Sequence, residues 1–219
     1  MRLAVCVPFR DTVTRTKFAL ALGRMAYPTG DWHIFSTEKA YYDEARNVLV
    51  REALLWGATH MLHLDDDMIP PPNITQLLAD WNVDIVAALY FQRRYPFLST
   101  MMQFDGQNYL ASVNGPIVGQ GLQEAAVGGL GCLFVNAEVY KAMKVPWYVY
   151  NDWSLGLKRS SALETITEDV SFCLRARKEG FKVYVDTNIV IPHCGDEGLI
   201  GYEEHLAAYQ KWTKEIKKP

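Results

Sequence analysis

The chain has 219 residues, a length that suits one domain with a substantial core. With 49% hydrophobic, 12% aromatic and 21% charged residues it is composed as a globular protein, which excludes a disordered, collagenous or low-complexity chain. Twenty-two Lys and Arg against 25 Asp and Glu give a net charge of −3, so no global positive field draws it onto nucleic acid or anionic lipid, and only a local basic patch could do so.

Leu3 to Val7 is a short apolar run ended by Pro8, as expected of a buried first strand opening onto a loop, Phe9-Arg10-Asp11. Thr12 to about Met25 reads as a helix and Trp32 to Ser36 as a second strand. Tyr42 to Trp56 then carries Ala45, Val48, Leu49, Ala53 and Trp56 at helical spacing and stops at Gly57. His60 to Leu64 is a strand running into Asp65-Asp66-Asp67, and Pro70-Pro71-Pro72 forces a turn before a helix from Asn73 to about Asp80. Asp84 to Leu89 is a further strand. Strand and helix thus alternate through the first ninety residues, the pattern of an α/β domain with a mostly parallel sheet, in which ligands bind beyond the strand C-termini. The stretch from about Tyr90 to Gly131 mixes glycines and polar turns with short apolar runs and suits hairpins. Thr167 reads as an N-cap with Glu168 and Asp169 in the first turn of a helix that Gly180 ends. Lys182 to Val185 and Ile189 to Ile191 are expected strands, and Tyr202 to about Lys217 an amphipathic helix.

Cys6, Cys132, Cys173 and Cys194 are far apart in sequence and form no C-x-x-C pair, so they read as reduced core residues. The first residues show no signal peptide and no apolar run reaches 18 residues, which makes cytoplasmic the expected location.

Three consecutive carboxylates at the end of an apolar strand need a cationic partner, because like charges a few ångströms apart raise one another's pKa. Alternation along a strand would point Asp65 and Asp67 one way and Asp66 the other. Hard oxygen ligands suit Mg²⁺ or Mn²⁺, completed by substrate phosphates. The plain alternative is an acidic surface turn with one Asp capping the next helix. His193 follows an apolar strand and precedes Cys194-Gly195, and a lone histidine is more often structural than a ligand. His60 and His63 flank a strand and are expected to pack.

The segments Glu44-Ala-Arg-Asn-Val-Leu-Val, Gly57-Ala-Thr-His-Met-Leu-His-Leu-Asp-Asp-Asp-Met-Ile-Pro-Pro-Pro and Glu168-Asp-Val-Ser-Phe-Cys-Leu-Arg-Ala-Arg-Lys-Glu-Gly-Phe-Lys-Val-Tyr-Val-Asp, followed by His193, resemble the GT-A glycosyltransferases, particularly the family 2-like group. Order and spacing both match, over residues 3 to about 195. The resemblance implies a mixed, mostly parallel Rossmann-like α/β sheet flanked by helices. It divides the single domain of residues 1–219 into a nucleotide-binding half (1–90), an acceptor and catalytic half (91–195) and a helical tail (196–219).

It also implies roles. A D-x-D motif would hold Mn²⁺ or Mg²⁺ against the diphosphate of a nucleotide-sugar, most simply a UDP-sugar, with Asp67 as metal ligand, Asp65 touching ribose or metal, Asp66 beside them facing outward, and His193 a further metal or phosphate ligand. Pro8, Arg10 and Asp11 would cradle the nucleobase, and Arg46 and Asn47 would contact the nucleotide. Gly129 and Gly131, in Gly128-Gly-Leu-Gly-Cys-Leu-Phe, would let backbone approach the donor sugar. Asp169 would be the base that takes the acceptor hydroxyl proton, with Glu168 beside it, and inversion follows from the likeness of this pair to inverting relatives. The helix N-terminus is expected to keep Asp169 ionised and weakly basic. Trp147 to Trp153 and Ser154 to Thr167 would form an acceptor-side wall or lid. The hydroxyl acceptor could be a glycan, a lipid-linked sugar, a protein or hydroxymethylated DNA, the last served by a rim of Arg93-Arg94 and Lys158-Arg159. Lys211, Lys214, Lys217 and Lys218 could touch anionic lipid, or form an ordinary solvated helix face. Two other readings compete. One is a sugar-nucleotide nucleotidyltransferase, although Pro8-Phe-Arg-Asp is no phosphate-cradling glycine loop; the other is a non-catalytic nucleotide- or glycan-binding protein of the same fold.

Overall fold

The computed structural model describes residues 1–11, 13–105, 110–157, 165–196 and 198–216. In chain order the elements are β1 (Leu3–Phe9), α1 (Thr16–Arg24), β2 (Trp32–Glu38), α2 (Tyr42–Trp56), β3 (His60–Leu64), α3 (Ile74–Ala79), β4 (Ile85–Leu89), β5 (Met102–Phe104), β6 (Leu110–Ser112), β7 (Leu122–Ala125), β8 (Cys132–Asn136), α4 (Ala137–Ala142), α5 (Glu168–Lys178), β9 (Val183–Val190), β10 (His193–Cys194), β11 (Leu199–Ile200) and α6 (Tyr202–Ile216).

Seven strands form one sheet in the order β2-β1-β3-β8-β4-β9-β7. β2, β1, β3, β4 and β9 run the same way, while β8 and β7 oppose them, so the sheet is mixed and mostly parallel, as expected. β1, β3 and β4 are buried almost throughout because helices cover both faces. On one face Leu3, Val5, Val7, Leu62 and Leu64 pack with Phe18 of α1 and Ile74 and Leu78 of α3. On the other, Ala4, Cys6 and Met61 meet Leu49, Val50 and Ala53 of α2, together with Phe172, Cys173 and Ala176 of α5. The split follows the two-residue alternation of the strands. All four cysteines are free and buried, and burial pushes the Cys6 and Cys173 thiols up to about 12.

The helix expected over Tyr42–Trp56 is found at those bounds. α2 ends where Gly57 turns left-handed (φ +84°) and gives its N–H to the Ala53 and Leu54 carbonyls. Elsewhere the chain departs from expectation. The first helix begins at Thr16, capped by extended Arg15, and Thr12 lies outside the described residues. The two strands expected over 182–191 are one continuous strand, β9. Its polar centre is satisfied in place: Asp186 Oδ2 accepts from the Trp81 indole at 2.8 Å, and the Thr187 hydroxyl accepts from the Gln120 N–H at 3.0 Å. In the middle region β5 and β6 do form a hairpin, but β7 joins the main sheet at its edge. β8, inside the run read as a glycine-rich approach to a sugar, is a central strand lying between β3 and β4. Among the described residues no helix is long and apolar enough to cross a membrane.

Candidate active site

The parallel strands β1, β3, β4 and β9 end on one edge of the sheet, and β8 starts there. A cleft of about 1060 Å³ opens at that edge. From the first strand and its loop it is lined by Pro8, Arg10, Asp11 and Arg15, and from the end of β3 by Asp65, Asp66 and Asp67. Tyr90, Arg93 and Arg94 come from the segment after β4, Glu168 and Asp169 from the start of α5, and His193 from beyond β9. This is the position that the strand-end rule for α/β sheets predicts.

The acidic triplet does not continue the strand. The Met68 N–H donates to the Asp65 carbonyl at 3.1 Å, making a turn. All three carboxylates therefore reach the cleft, and the expected outward Asp66 is corrected: it is half-buried and takes an N–H from the Arg10 backbone. Burial and the neighbouring Asp67 charge push its carboxyl up.

Asp65 Oδ1 accepts from Arg46 Nη2 at 2.7 Å, and Arg46 Nε donates to Glu168 Oε1 at 3.2 Å. Arg46 is only 2% exposed, so one guanidinium from α2 ties the end of β3 to the start of α5 beneath the cleft floor. Its Nη1 is buried without a protein partner. Burial also raises the Glu168 carboxyl despite the Arg46 charge.

Asp67 is 8% exposed, and its Oδ2 lies 3.0 Å from Arg93 Nη1 and 3.3 Å from His193 Nε2. Burial alone would raise this carboxyl, but the His193 contact and the charges of Arg93 and Arg15 hold it below the ordinary carboxylate range. The opposite ring nitrogen, His193 Nδ1, is 2.8 Å from the Phe91 carbonyl oxygen. A carbonyl only accepts, so Nδ1 carries a proton, and Nε2 is the ring nitrogen turned to the Asp67 carboxylate. A proton on Nε2 makes this an ion pair, and an unprotonated Nε2 beside the carboxylate oxygen would be a nitrogen and oxygen donor pair of the kind a divalent metal takes. Among the described residues no group of three His, Cys, Asp or Glu side chains is gathered closely enough to hold a metal by itself. Asp65 is engaged by Arg46 and does not complete such a set.

Asp169 is partly buried at the first turn of α5. Its Oδ1 accepts from the Val170 N–H at 2.8 Å and from the Thr167 hydroxyl. The expectation that the helix N-terminus lowers its pKa is corrected: burial outweighs these bonds and pushes the carboxyl above its ordinary value. Thr167 has the extended backbone of an N-cap, but its hydroxyl serves Asp169 and does not cap the helix.

Three other expected contacts find different work. Asn47 Nδ2 donates to the Asp43 and Tyr148 carbonyls at 2.7 and 2.8 Å, and its Oδ1 accepts from the Trp147 and Tyr148 N–H groups, so both ends of the amide hold backbone. A Cβ at Gly129 would stand 2.4 Å from the Tyr90 hydroxyl, and one at Gly131 2.9 Å from the same ring. These glycines make room for Tyr90, whose hydroxyl accepts from the Gly131 N–H at 3.0 Å; only Leu130 of that run lines the cleft. On the expected acceptor wall Trp147 and Tyr148 are buried, whereas Tyr150 is exposed and lines the cleft beside Tyr41, Tyr42 and Thr165. Residues 158–164, with Lys158-Arg159, and the tail lysines Lys217 and Lys218 lie outside the described residues.

Sequence reasoning missed Arg15, whose Nη1 donates to the Cys194 carbonyl at 2.6 Å, and Tyr90, and it gave Arg93 no role with Asp67. A search for cations immediately after each parallel strand would have found Arg93, since three clustered carboxylates need such partners.

No protein-family model matches the chain, and no curated protein matches it. Among solved structures it is similar to A197 from STIV at 18% identity and a TM-score of 0.58, over 92% of this chain and 94% of that one. It is also similar to GalNAc-T7, solved with UDP, GalNAc and Mn²⁺, at 12% identity and a TM-score of 0.58, over 98% of this chain and 48% of that one. The chain thus spans about half the length of that second structure. The sheet and these likenesses define the fold as that of the GT-A glycosyltransferases.

Proposed function

We propose that the chain is a metal-dependent glycosyltransferase that moves a sugar from a nucleotide-sugar, a UDP-sugar in the first instance, to a hydroxyl acceptor with inversion. The observation that carries this reading is the convergence on one cleft of the Asp67–His193 pair and a carboxylate of raised pKa, Asp169. The GalNAc-T7 structure, of the same fold, holds UDP and Mn²⁺, which supports the donor and metal classes.

Asp67 and His193 are the residues that would hold Mn²⁺ or Mg²⁺, and the bound ion would supply Lewis-acid charge for the departing diphosphate. Residues 1–90 contribute Pro8, Arg10, Asp11 and the acidic turn to the donor side. Arg15 and Arg93 add positive charge beside it, suited to diphosphate oxygens. Residues 91–195 contribute Asp169 and Tyr150 to the acceptor side, and the tail from 196 stays outside the chemistry. The acceptor oxygen attacks the anomeric carbon, the bond from that carbon to the diphosphate oxygen breaks, and the hydroxyl proton passes to Asp169. A raised pKa makes Asp169 a better proton acceptor than an ordinary surface aspartate. Arg46 keeps Glu168 and Asp65 in register beneath it. A glycan is the acceptor that the exposed tyrosines at the cleft suit best, since aromatic faces stack on sugar rings.

Calorimetry with a panel of nucleoside diphosphates, with and without Mn²⁺, tests the reading. UDP is expected to bind the native protein only with metal, and Asp67→Asn to abolish that binding. Failure of every nucleoside diphosphate to bind in either metal state would overturn it. Metal-dependent binding without sugar transfer to a broad panel of glycans and modified DNA would favour the non-catalytic reading.

A further inference from the structure

Arg93 holds an oxygen that a divalent cation bound at Asp67 and His193 would also use. The Arg93 guanidinium sits 3.0 Å from Asp67 Oδ2, and that same oxygen faces His193 Nε2 at 3.3 Å. An ion bridging the oxygen and the nitrogen would place two positive charges next to the guanidinium in a largely buried setting, where such repulsion is poorly screened. The other cleft arginines are differently placed. Arg46 is buried and bound to two carboxylates, and Arg15 is tied to the Cys194 carbonyl. The Arg93 side chain is 35% exposed, so its head has solvent to turn into. Its backbone is held meanwhile: the Gln92 N–H donates to the Leu98 carbonyl at 2.8 Å, and His205 Nδ1 lies 2.7 Å from the Phe97 carbonyl oxygen.

We propose that Arg93 is a displaceable counterion: it holds the Asp67 carboxylate in the absence of metal, releases it for a divalent cation, and then offers its guanidinium to the diphosphate of the donor. This rests on the glycosyltransferase reading above. Two consequences follow from one side chain. Metal alone binds weakly because Arg93 must be displaced, and nucleotide strengthens metal binding because the diphosphate gives the displaced guanidinium a new partner.

The test is titration of Mn²⁺ followed by the electron paramagnetic resonance signal of the free ion, with and without UDP, on native protein, Arg93→Met and Arg94→Met. Arg94 lines the same cleft without pairing with Asp67, so its variant removes an equal charge and controls for the general field. In Arg93→Met, Mn²⁺ alone is expected to bind about tenfold tighter, and the gain on adding UDP to shrink by about the same factor. Arg94→Met is expected to stay within about twofold of native on both counts. Native Mn²⁺ binding with no gain in Arg93→Met, or an equal gain in both variants, would overturn the role of Arg93 and leave the glycosyltransferase reading intact. No Mn²⁺ binding by native protein or Arg93→Met, with or without UDP, would remove the metal site and this proposal together.

Discussion

At the scale of single residues, the pH behaviour of Asp169 is the sharpest consequence of the site. Burial raises its carboxyl, and the Thr167 hydroxyl and Val170 N–H pull it down. A base works only when deprotonated, so kcat/KM should climb as pH rises through this raised pKa, above the ordinary aspartate range. Thr167→Val removes a bond that favours the charged form, so the climbing limb should shift to higher pH, and Asp169→Asn should lower the rate by about 10²- to 10⁴-fold. A limb that does not move in Thr167→Val would separate Asp169 from the proton transfer. The residues legible in the sequence were those whose chemistry is unusual for their place: a run of three carboxylates, a pair of acids at a helix start, a histidine after an apolar strand. Asp65, Asp67, Asp169 and His193 all reach the cleft. Asn47, Gly129 and Gly131 were read equally well as segments, yet their task is set by Tyr148 and Tyr90, neighbours in space that spacing along the chain does not reveal.

At the scale of elements, β3 holds a buried titratable side chain. On β3, alternation points His63 at the face opposite Leu62 and Leu64, where its Nε2 is 2.7 Å from the Tyr140 hydroxyl, which is in turn 2.7 Å from that of Tyr148. Burial, aided by the Arg46 charge, drives the His63 pKa well below its ordinary value, so the folded protein keeps the ring neutral. The unfolded chain takes up that proton near the usual histidine value. Stability from this source is therefore complete above about pH 6.5 and is lost as pH falls, by at most about 1.4 kcal/mol per pH unit. His63→Phe leaves the two tyrosines bonded to each other and should flatten the dependence of Tm between about pH 6.5 and 5 by one proton's worth. His60 and His205, also held low by burial, keep contributing in the same direction. Helix α2 was legible because amphipathic spacing and a terminal glycine are local signals. β8 was not: nothing within Cys132–Asn136 says that it runs antiparallel between two strands more than forty residues upstream, and the glycines before it suggest a backbone approach to a sugar.

Across the whole molecule, the cleft is assembled from segments far apart in sequence, and the seven-stranded sheet makes that possible. The alternating first ninety residues announced an α/β sheet and the edge on which its ligand would lie, and both hold. What they did not announce is that the segment after β4, which lines the cleft, is tied to the other end of the chain. α6 reaches back to the segment carrying Arg93 through His205 and through the Tyr95 hydroxyl, which donates to Glu215 at 3.1 Å.

The antiparallel insertion of β8 also imposes an order of events during synthesis. β3 and β4 are not hydrogen-bonded to each other; each is paired with β8, which emerges from the ribosome only after residue 136. Until then the growing chain carries two buried-type strands with bare hydrogen-bonding edges, a state that attracts chaperones and favours aggregation. The first ninety residues should therefore fail to fold as an isolated fragment, giving no cooperative melting transition, whereas a fragment reaching past β9 should give one. A nascent protein of this kind is assembled late and all together, since the strand that joins its two halves is also the one that lies between them.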